Sequence, residues 1–545
     1  MKHISFISFS LCLIVVILAA CSGNISVDNS SAPDISSEPD QLISAKVLTL
    51  PYCSNDVFDP YKASTKVNQQ LSSLLYDSLI KLDENLSPVY VLAQSVVING
   101  KHCAITIKSA VFSDGATVSA DDVVYSLKKA KESSTKYSNQ LSSIVSYSAD
   151  GSNSISIILS KADPYFTNML DFPVIKSHTD ALKDGNNLDI PPVGSGRYTI
   201  DLAKKILVAN SNHHNGVATI KQIKLLNSPD DEALNHYIEV GSISCYYSDL
   251  SNCEIPKMTG VNKTVVLNNL VYMGVNMKNE VLKVAEVRYA ISAALDRTKI
   301  ASKSYFSYAS AAKGPFNSVW KEATNCQSIE TVADPNITVA DLAKIGYTIK
   351  DAEGYYLTPD NKRLSFTLLV NSNNLSRVNA ADLIKTQLAT IGIEITVQSV
   401  DWNSYVAALT AGNFELYLSE IKIPNNMDIS ELVTPGSSIA FGVVAPEKSE
   451  VTSIPTNTAS TDTQSSESNT SDNNFLKYNS TSGALDAFYN NKATIQDVIS
   501  AFNAEMPIIP ICHRSGVLIY STSFDIGPSC TLSDVFYNFE NCTFK

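Results

Sequence analysis

The sequence predicts an α/β protein built as more than one lobe, and three observations carry that expectation. The chain has 545 residues, enough for two or more domains or one large multi-lobed body. Its hydrophobic content of 44% and charged content of 17% are an ordinary globular balance. One stretch reads as a complete βαβ unit. Leu364 to Val370 forms an apolar strand, and Ala381, Ile384, Leu388 and Ile391 lie on one helical face. Ile393, Ile395 and Val397 then alternate in a second strand, and Gly392 suits the position just past the helix. Such a unit predicts parallel pairing through a right-handed crossover.

Taken in order, the chain opens on an address. Lys2 supplies a short positive region, and Ile4 to Ala20 is apolar with a few serines, the length of a signal segment. Residues 1–20 end in Leu18-Ala19-Ala20-Cys21, similar to a bacterial lipobox, in which a small residue precedes the cysteine to be lipidated. The mature protein is expected to begin at Cys21 with its thiol diacylated. Anchoring would be durable, since each buried CH₂ contributes roughly 0.8 kcal/mol. Residues 21–44 are rich in Ser, Asn, Asp and Pro and read as a disordered tether. The expected location is the extracytoplasmic face of the cell membrane, held by lipid: a Gram-positive surface, or the periplasmic side in a Gram-negative cell.

Val47 to Tyr52 reads as a first strand, and Asn68 to Ile80 as a helix with Leu71, Leu74, Leu75 and Leu79 on its stripe. Ile105 and Ile107 alternate into a strand that meets the turn Ser113-Asp114-Gly115, where Asp bonds the backbone ahead and Gly accepts positive φ. Ser119 and Asp122 form a capping pair for a helix carrying Val123, Leu127 and Ala130. Ser154 to Leu159 is a strand, and Val284, Val287, Ile291 and Leu295 give an amphipathic helix. Residues 446–474 are Ser/Thr/Asn-rich and read as a disordered insert.

Charge and cysteine usage narrow the function. A net charge of −13 argues against nucleic acid and is compatible with a cationic or zwitterionic ligand. Beyond Cys12 and Cys21, spacing points to a Cys245–Cys253 loop and a Cys530–Cys542 pair, with buried free thiols as the alternative. The chain has no C-x-x-C, H-E-x-x-H, G-x-S-x-G or P-loop, so an enzyme is disfavoured and no cofactor is expected. Gly194-Ser195-Gly196 lacks the helix start and third glycine of a nucleotide fingerprint and reads as backbone geometry. The adjacent His213 and His214 are expected to point apart, so no metal site is assigned to them. Cys512 and His513 should likewise face opposite sides of a strand.

The stretch from Phe112-Ser113-Asp114-Gly115 through Val118-Ser119-Ala120-Asp121-Asp122-Val123 to Tyr125-Ser126 resembles the signature of the family 5 extracytoplasmic solute-binding proteins, the peptide- and nickel-binding receptors of ABC importers. Other segments are similar to that family's elements: Leu75-Tyr76-Asp77-Ser78-Leu79, Pro192-Val193-Gly194-Ser195-Gly196-Arg197-Tyr198, Val287-Arg288-Tyr289-Ala290-Ile291, Trp402-Asn403-Ser404-Tyr405 and Pro507-Ile508-Ile509-Pro510. The resemblance implies a two-lobed periplasmic-binding-protein-like fold of the cluster C type, with three subdomains and a hinge. It places a main domain at 45–85, 193–270 and 505–545, an accessory domain at 86–192, and the second lobe at 271–504. Arg288 and Asp296 are then interdomain or helix-end pairs rather than ligands.

The implied function is capture of oligopeptides in the interlobe cleft, as a monomer, and delivery to a membrane permease. Alternatives are another solute, such as a nickel chelate, haem, an oligosaccharide or an opine, or a signalling or adhesion lipoprotein on the same fold. The family's acidic contact to a peptide α-ammonium has no direct counterpart, because the loop reads Ser419-Glu420-Ile421-Lys422-Ile423-Pro424-Asn425-Asn426-Met427-Asp428 and lacks the usual Trp and Asp. The candidate ligand residues are Glu420, Asn425 and Asp428 on this loop, with Trp402, Tyr405 and Asn276 as further cleft candidates.

Overall fold

The computed structural model describes residues 47–445 and 477–545. The signal segment 1–20, Cys21, the tether 21–44 and the insert 446–474 lie outside the described residues. Among the described residues, no helix is long and apolar enough to cross a membrane.

The central feature is a pair of long antiparallel strands, Val261–Val275 and Ile508–Tyr520, paired from Val261↔Tyr520 to Gly274↔Ile508. Among the described residues their side chains serve four cores, two of which hold most of the buried residues of the strands' opposite ends. Val265, Leu267, Leu518 and Tyr520 join one core with residues such as Leu50, Leu74 and Phe112. Val271, Met273, Val275, Ile509 and Ile511 join another with Ile291, Leu368 and Leu388. The molecule is therefore two-lobed, with both strands passing from one lobe into the other. Register shifts between Val266 and Asn269 and between Val271 and Tyr272 interrupt the ladder where it changes lobes.

At the first-lobe end, the edge strand Cys245–Ser248 pairs with Val517 to Tyr520. At the second-lobe end, Leu416–Lys422 pairs with Asn269 to Val275 and continues into Ser365–Asn371 and Glu394–Val400. The last two are parallel and joined by the helix Leu375–Ile391, with Gly392 at φ +105 beyond it. This is the βαβ unit expected from spacing. A short strand, Ala309–Ala311, adds to Ile508–Tyr520.

Beside the two-stranded pairs Ile80–Leu82 with Pro88–Tyr90 and Phe524–Ile526 with Thr543–Phe544, the first lobe holds two four-stranded sheets among the described residues. One comprises Thr49–Tyr52, Gln222–Asn227, Ile206–Ala209 and Tyr198–Asp201; the other Ala93–Asn99, His102–Ile107, Ser154–Leu159 and Ile144–Ala149. The helix Ala120–Glu132 begins with the expected capping box: Ser119 Oγ accepts from Asp122 N, and Asp122 Oδ2 accepts from Ser119 N at 3.0 Å. Asp122 also accepts from Ser177 N and Oγ through Oδ1, so this acid is a buried tie rather than a solvated helix start.

One helix ends earlier than its stripe suggests. It spans Lys66–Leu75, and Tyr76 is already extended, with Leu79 entering the turn before the strand Ile80–Leu82. The reason is tertiary. Gly196 N donates to Leu75 O, and a Cβ on Gly194 or Gly196 would sit 2.2 or 2.3 Å from the Leu75 carbonyl group. The two glycines admit this backbone approach, which is the geometric role read for them. Arg288 and Asp296 likewise serve helix ends. Arg288 donates to the carbonyls of Leu282, Lys283, Glu505 and Met506, and Asp296 caps Arg297–Ser304.

The described cysteines are all free thiols. The expected Cys245–Cys253 and Cys530–Cys542 pairs do not form. Burial, and then the neighbouring Cys542, raise the Cys245 thiol, and Cys245 in turn bears on Cys530. The edge strand carries Cys245 into the first-lobe core, while Cys253 falls in the loop beyond it.

Candidate functional site

Two cavities lie beside the central sheet, one against the edge strand Cys245–Ser248 within the first lobe and one between first-lobe segments and the end of the strand Leu416–Lys422. The first, of about 320 Å³, is lined by Gln70, Tyr76, Lys136, Asp171 and Tyr247 among others. The second, of about 670 Å³, is lined by Lys136, Lys161, Asp163, Lys422, Asn425 and Asp428 among others. Lys136 and Leu532 border both, so they adjoin along one cleft. Volumes of this order suit a bound small molecule or short peptide.

The free charge in the cleft is cationic. Lys136 belongs to the short helix Lys136–Gln140. Its side chain is exposed to the open cleft; crowding by the surrounding atoms opposes its charge, but Tyr137 and Asp171 hold its pKa above the usual lysine value. Lys422 closes the strand Leu416–Lys422 and is exposed to the same cleft; crowding by the surrounding atoms, followed by repulsion from Lys136, lowers its pKa. Among the described residues, neither lysine makes an ion pair within 4.0 Å. The neighbouring acids are mostly engaged. Asp428 takes Lys161 Nζ at 2.6 Å and Ser430 N at 2.9 Å. Asp163, buried, accepts from Asn426 Nδ2 at 2.7 Å. Burial raises Asp163 to about 6 despite that bond and one from Tyr165 N.

These contacts bring a second-lobe loop onto the first lobe. Asn425 O accepts from Asn168 Nδ2 at 3.0 Å, and Asn425 Nδ2 lies 3.4 Å from Asp171 Oδ2. Asn425 and Asp428 thus line the cleft as part of an interlobe contact.

The structure places the other candidates elsewhere. Glu420 borders neither cavity. It accepts from Arg514 Nε at 2.8 Å and Asn269 Nδ2 at 2.7 Å, with Arg377 at 3.6 Å, so its carboxylate is spent where the strands change lobes. Tyr405 is buried, with its hydroxyl donating to Leu418 O. Trp402 is 52% exposed, stacks on Tyr405 and lines neither cavity. Asn276 lies past the far end of its strand and donates to Phe414 O. Reasoning from sequence missed Lys136, Lys422 and Tyr247. The loop chemistry drew attention to acids, although Lys422 stands two residues after Glu420.

His213 and His214 do not point apart. Their ring centroids are 4.5 Å apart and both face Asp77 Oδ2. Alternation of neighbours holds in strands, but this pair lies in consecutive turns, where His213 N bonds Asn210 O and Gly216 N bonds His213 O. Burial lowers the pKa of His214 and outweighs the pull of Asp77.

Comparison with known proteins decides the kinship. The model of the bacterial extracellular solute-binding proteins, family 5 (middle region), matches residues 87–435. The chain belongs to that family. This family 5 protein is 27% identical over 427 residues to the oligopeptide-binding protein AppA of Bacillus subtilis, covering 74% of this chain and 78% of that one. It is 21% identical over 400 residues to the probable deoxycholate-binding periplasmic protein YgiS of Escherichia coli, covering 66% and 72%. Both relatives are binding proteins, not enzymes. Among solved structures, the unliganded open form of the murein tripeptide binding protein MppA superposes with a TM-score of 0.69 at 17% identity, covering 92% and 98%. A nickel ABC transporter protein from Bacillus halodurans gives 0.67 at 19%, covering 90% and 97%. The solved structures establish the two-lobed fold, and the family match establishes an extracellular solute-binding protein.

Proposed function

We propose that this protein is a lipid-anchored receptor, attached through Cys21, that captures oligopeptides in the interlobe cleft and delivers them to a membrane permease. One observation carries the peptide reading. Tyr246 to Ser248 belong to the edge strand of the central sheet and line the first cavity; among the described residues no strand pairs their outer edge, which only Gln70 Nε2 reaches, 3.4 Å from Tyr247 O. An extended peptide binds such an edge through main-chain groups, which gives affinity without a strict sequence requirement. The 27% identity to an oligopeptide-binding relative supports the same reading.

The charge arrangement sets the orientation. Lys136 and Lys422 face the ligand's carboxylate. Glu420, held by two arginines, stabilises the hinge instead. Closure of the lobes over the ligand then follows from contacts made only when both are engaged. No histidine lines either cavity, so the cleft offers a nickel chelate no imidazole from the protein.

Calorimetric titration of residues 22–545 with a pool of short peptides tests this. The expected result is saturable binding that weakens at least tenfold in Lys136→Met/Lys422→Met. Binding unchanged in that double variant would contradict the orientation, and no binding with any peptide would contradict the ligand class.

A further inference from the structure

We infer that Asp77, His213 and His214 form a binding site for a divalent transition-metal ion of the zinc class, separate from the solute cleft. Asp77 Oδ2 lies 3.4 Å from His213 Nε2 and 3.6 Å from His214 Nδ1. All three donor atoms fall within 4.8 Å of one another. An ion with bonds of about 2.1 Å in tetrahedral geometry spaces its ligands roughly 3.4 Å apart. The carboxylate–imidazole separations therefore match the edges of one coordination polyhedron.

The hydrogen bonding supports the assignment. His213 Nδ1 is 3.2 Å from Gly216 O, which can only accept, so that nitrogen carries the proton. Its Nε2 then turns a lone pair towards a carboxylate oxygen, an arrangement that needs a cation or an added proton between them. A backbone carbonyl fixing the tautomer in this way is the usual outer-shell support of a metal-bound histidine. His214 is mostly buried, and among the described residues neither of its ring nitrogens has a hydrogen-bond partner. Two imidazoles and one carboxylate suit zinc, nickel, cobalt or copper better than calcium or magnesium.

The surroundings leave room for a cation despite three basic neighbours, Lys81, Arg197 and, towards His214, Lys108, and the Ser195 hydroxyl reaches Asp77 Oδ2 only at 3.4 Å. Lys81 is bound by Asp534 at 2.8 Å, and Arg197 by Asp534 and Glu540 at 2.7 and 2.9 Å. Lys81 approaches only the other oxygen of Asp77, at 3.9 Å. A small cavity of about 100 Å³ bordered by Asp77 and His213 gives access and space for a further ligand such as water. Asp77 follows the helix Lys66–Leu75, and the histidines sit between the strands Ile206–Ala209 and Gln222–Asn227, so the ion staples two segments. Tyr76 and Ser78, on either side of Asp77, line the solute cavity. The ion thereby steadies one wall of the cleft without entering it.

The test is titration of chelator-treated residues 22–545 with Zn²⁺ and Co²⁺, read by calorimetry, visible absorption of Co²⁺ and thermal denaturation. One equivalent should bind, with a cobalt spectrum of low coordination number and a raised Tm. His214→Gln removes a ligand but no hydrogen bond, so it should fold normally by circular dichroism yet bind at least tenfold more weakly. Asp77→Asn should do the same if it folds. The cleft variant Lys136→Met/Lys422→Met should bind the metal normally, which separates this site from solute capture. Absence of a stoichiometric ion in the wild type, or equal affinity in His214→Gln, would overturn the assignment.

Discussion

At the residue scale, burial and pairing decide which side chains remain available to a ligand. Glu420 shows this most clearly. Its carboxylate is nearly enclosed and shared by Arg514 and Arg377. Glu420→Gln is expected to destabilise the fold by about 3 kcal/mol, because it leaves buried guanidinium charge uncompensated. Urea denaturation measures the loss, and peptide affinity should change much less than in the lysine variants. Asp163 gives a pH signature. Its folded pKa of about 6 lies above the unfolded value, so its neutral form favours the native state below about pH 4, and that contribution is lost as pH rises through 6. The span is about 2–3 kcal/mol. Stability measured from pH 4.5 to 7.5 should show a smaller decline with rising pH in Asp163→Asn than in the wild type. Neither behaviour was legible in the sequence. Arg514 lies 94 residues from Glu420, and Asn426 lies 263 residues from Asp163, so both environments are created by the fold.

At the element scale, local rules read well and failed where tertiary contact intervened. The βαβ unit at 364–397 follows from periodicity alone, and the helix behind Ser119 from its capping pair. Ser119→Ala should cost about 1 kcal/mol, measurable by denaturation. The helix Lys66–Leu75 ends before its apolar stripe does, since Leu79 continues the spacing. What ends it is the turn at Gly194–Gly196, more than a hundred residues away. Gly196→Ala places a methyl group 2.3 Å from the Leu75 carbonyl carbon and should destabilise by about 3 kcal/mol or more. A change below 0.5 kcal/mol in chemical denaturation would contradict the close approach. The histidine pair is the same lesson reversed: alternation of neighbours is a strand rule, and turn backbone brings both rings to one carboxylate. The cysteine pairings failed because spacing says nothing about which thiols the edge strand carries inward.

At the scale of the whole molecule, the two long strands matter most. Each supplies both lobes, and the irregular registers between Val266 and Tyr272 mark where the ladder is weakest. Bending there changes the cleft without unpacking either core, as hinge motion requires. The family motifs made the two-lobed fold legible. They did not reveal the cleft's chemistry, because its lysines come from a short helix and a strand end rather than from the recognised loop. Small-angle scattering should show the radius of gyration falling when a binding peptide is added, and Lys136→Met/Lys422→Met should reduce that response. The most direct test of solute capture is native mass spectrometry of residues 22–545 as purified, followed by denaturation to release what is bound. A heterogeneous set of short peptides is the predicted result. A single non-peptide solute, or an empty protein whose Tm no peptide pool shifts, would contradict it.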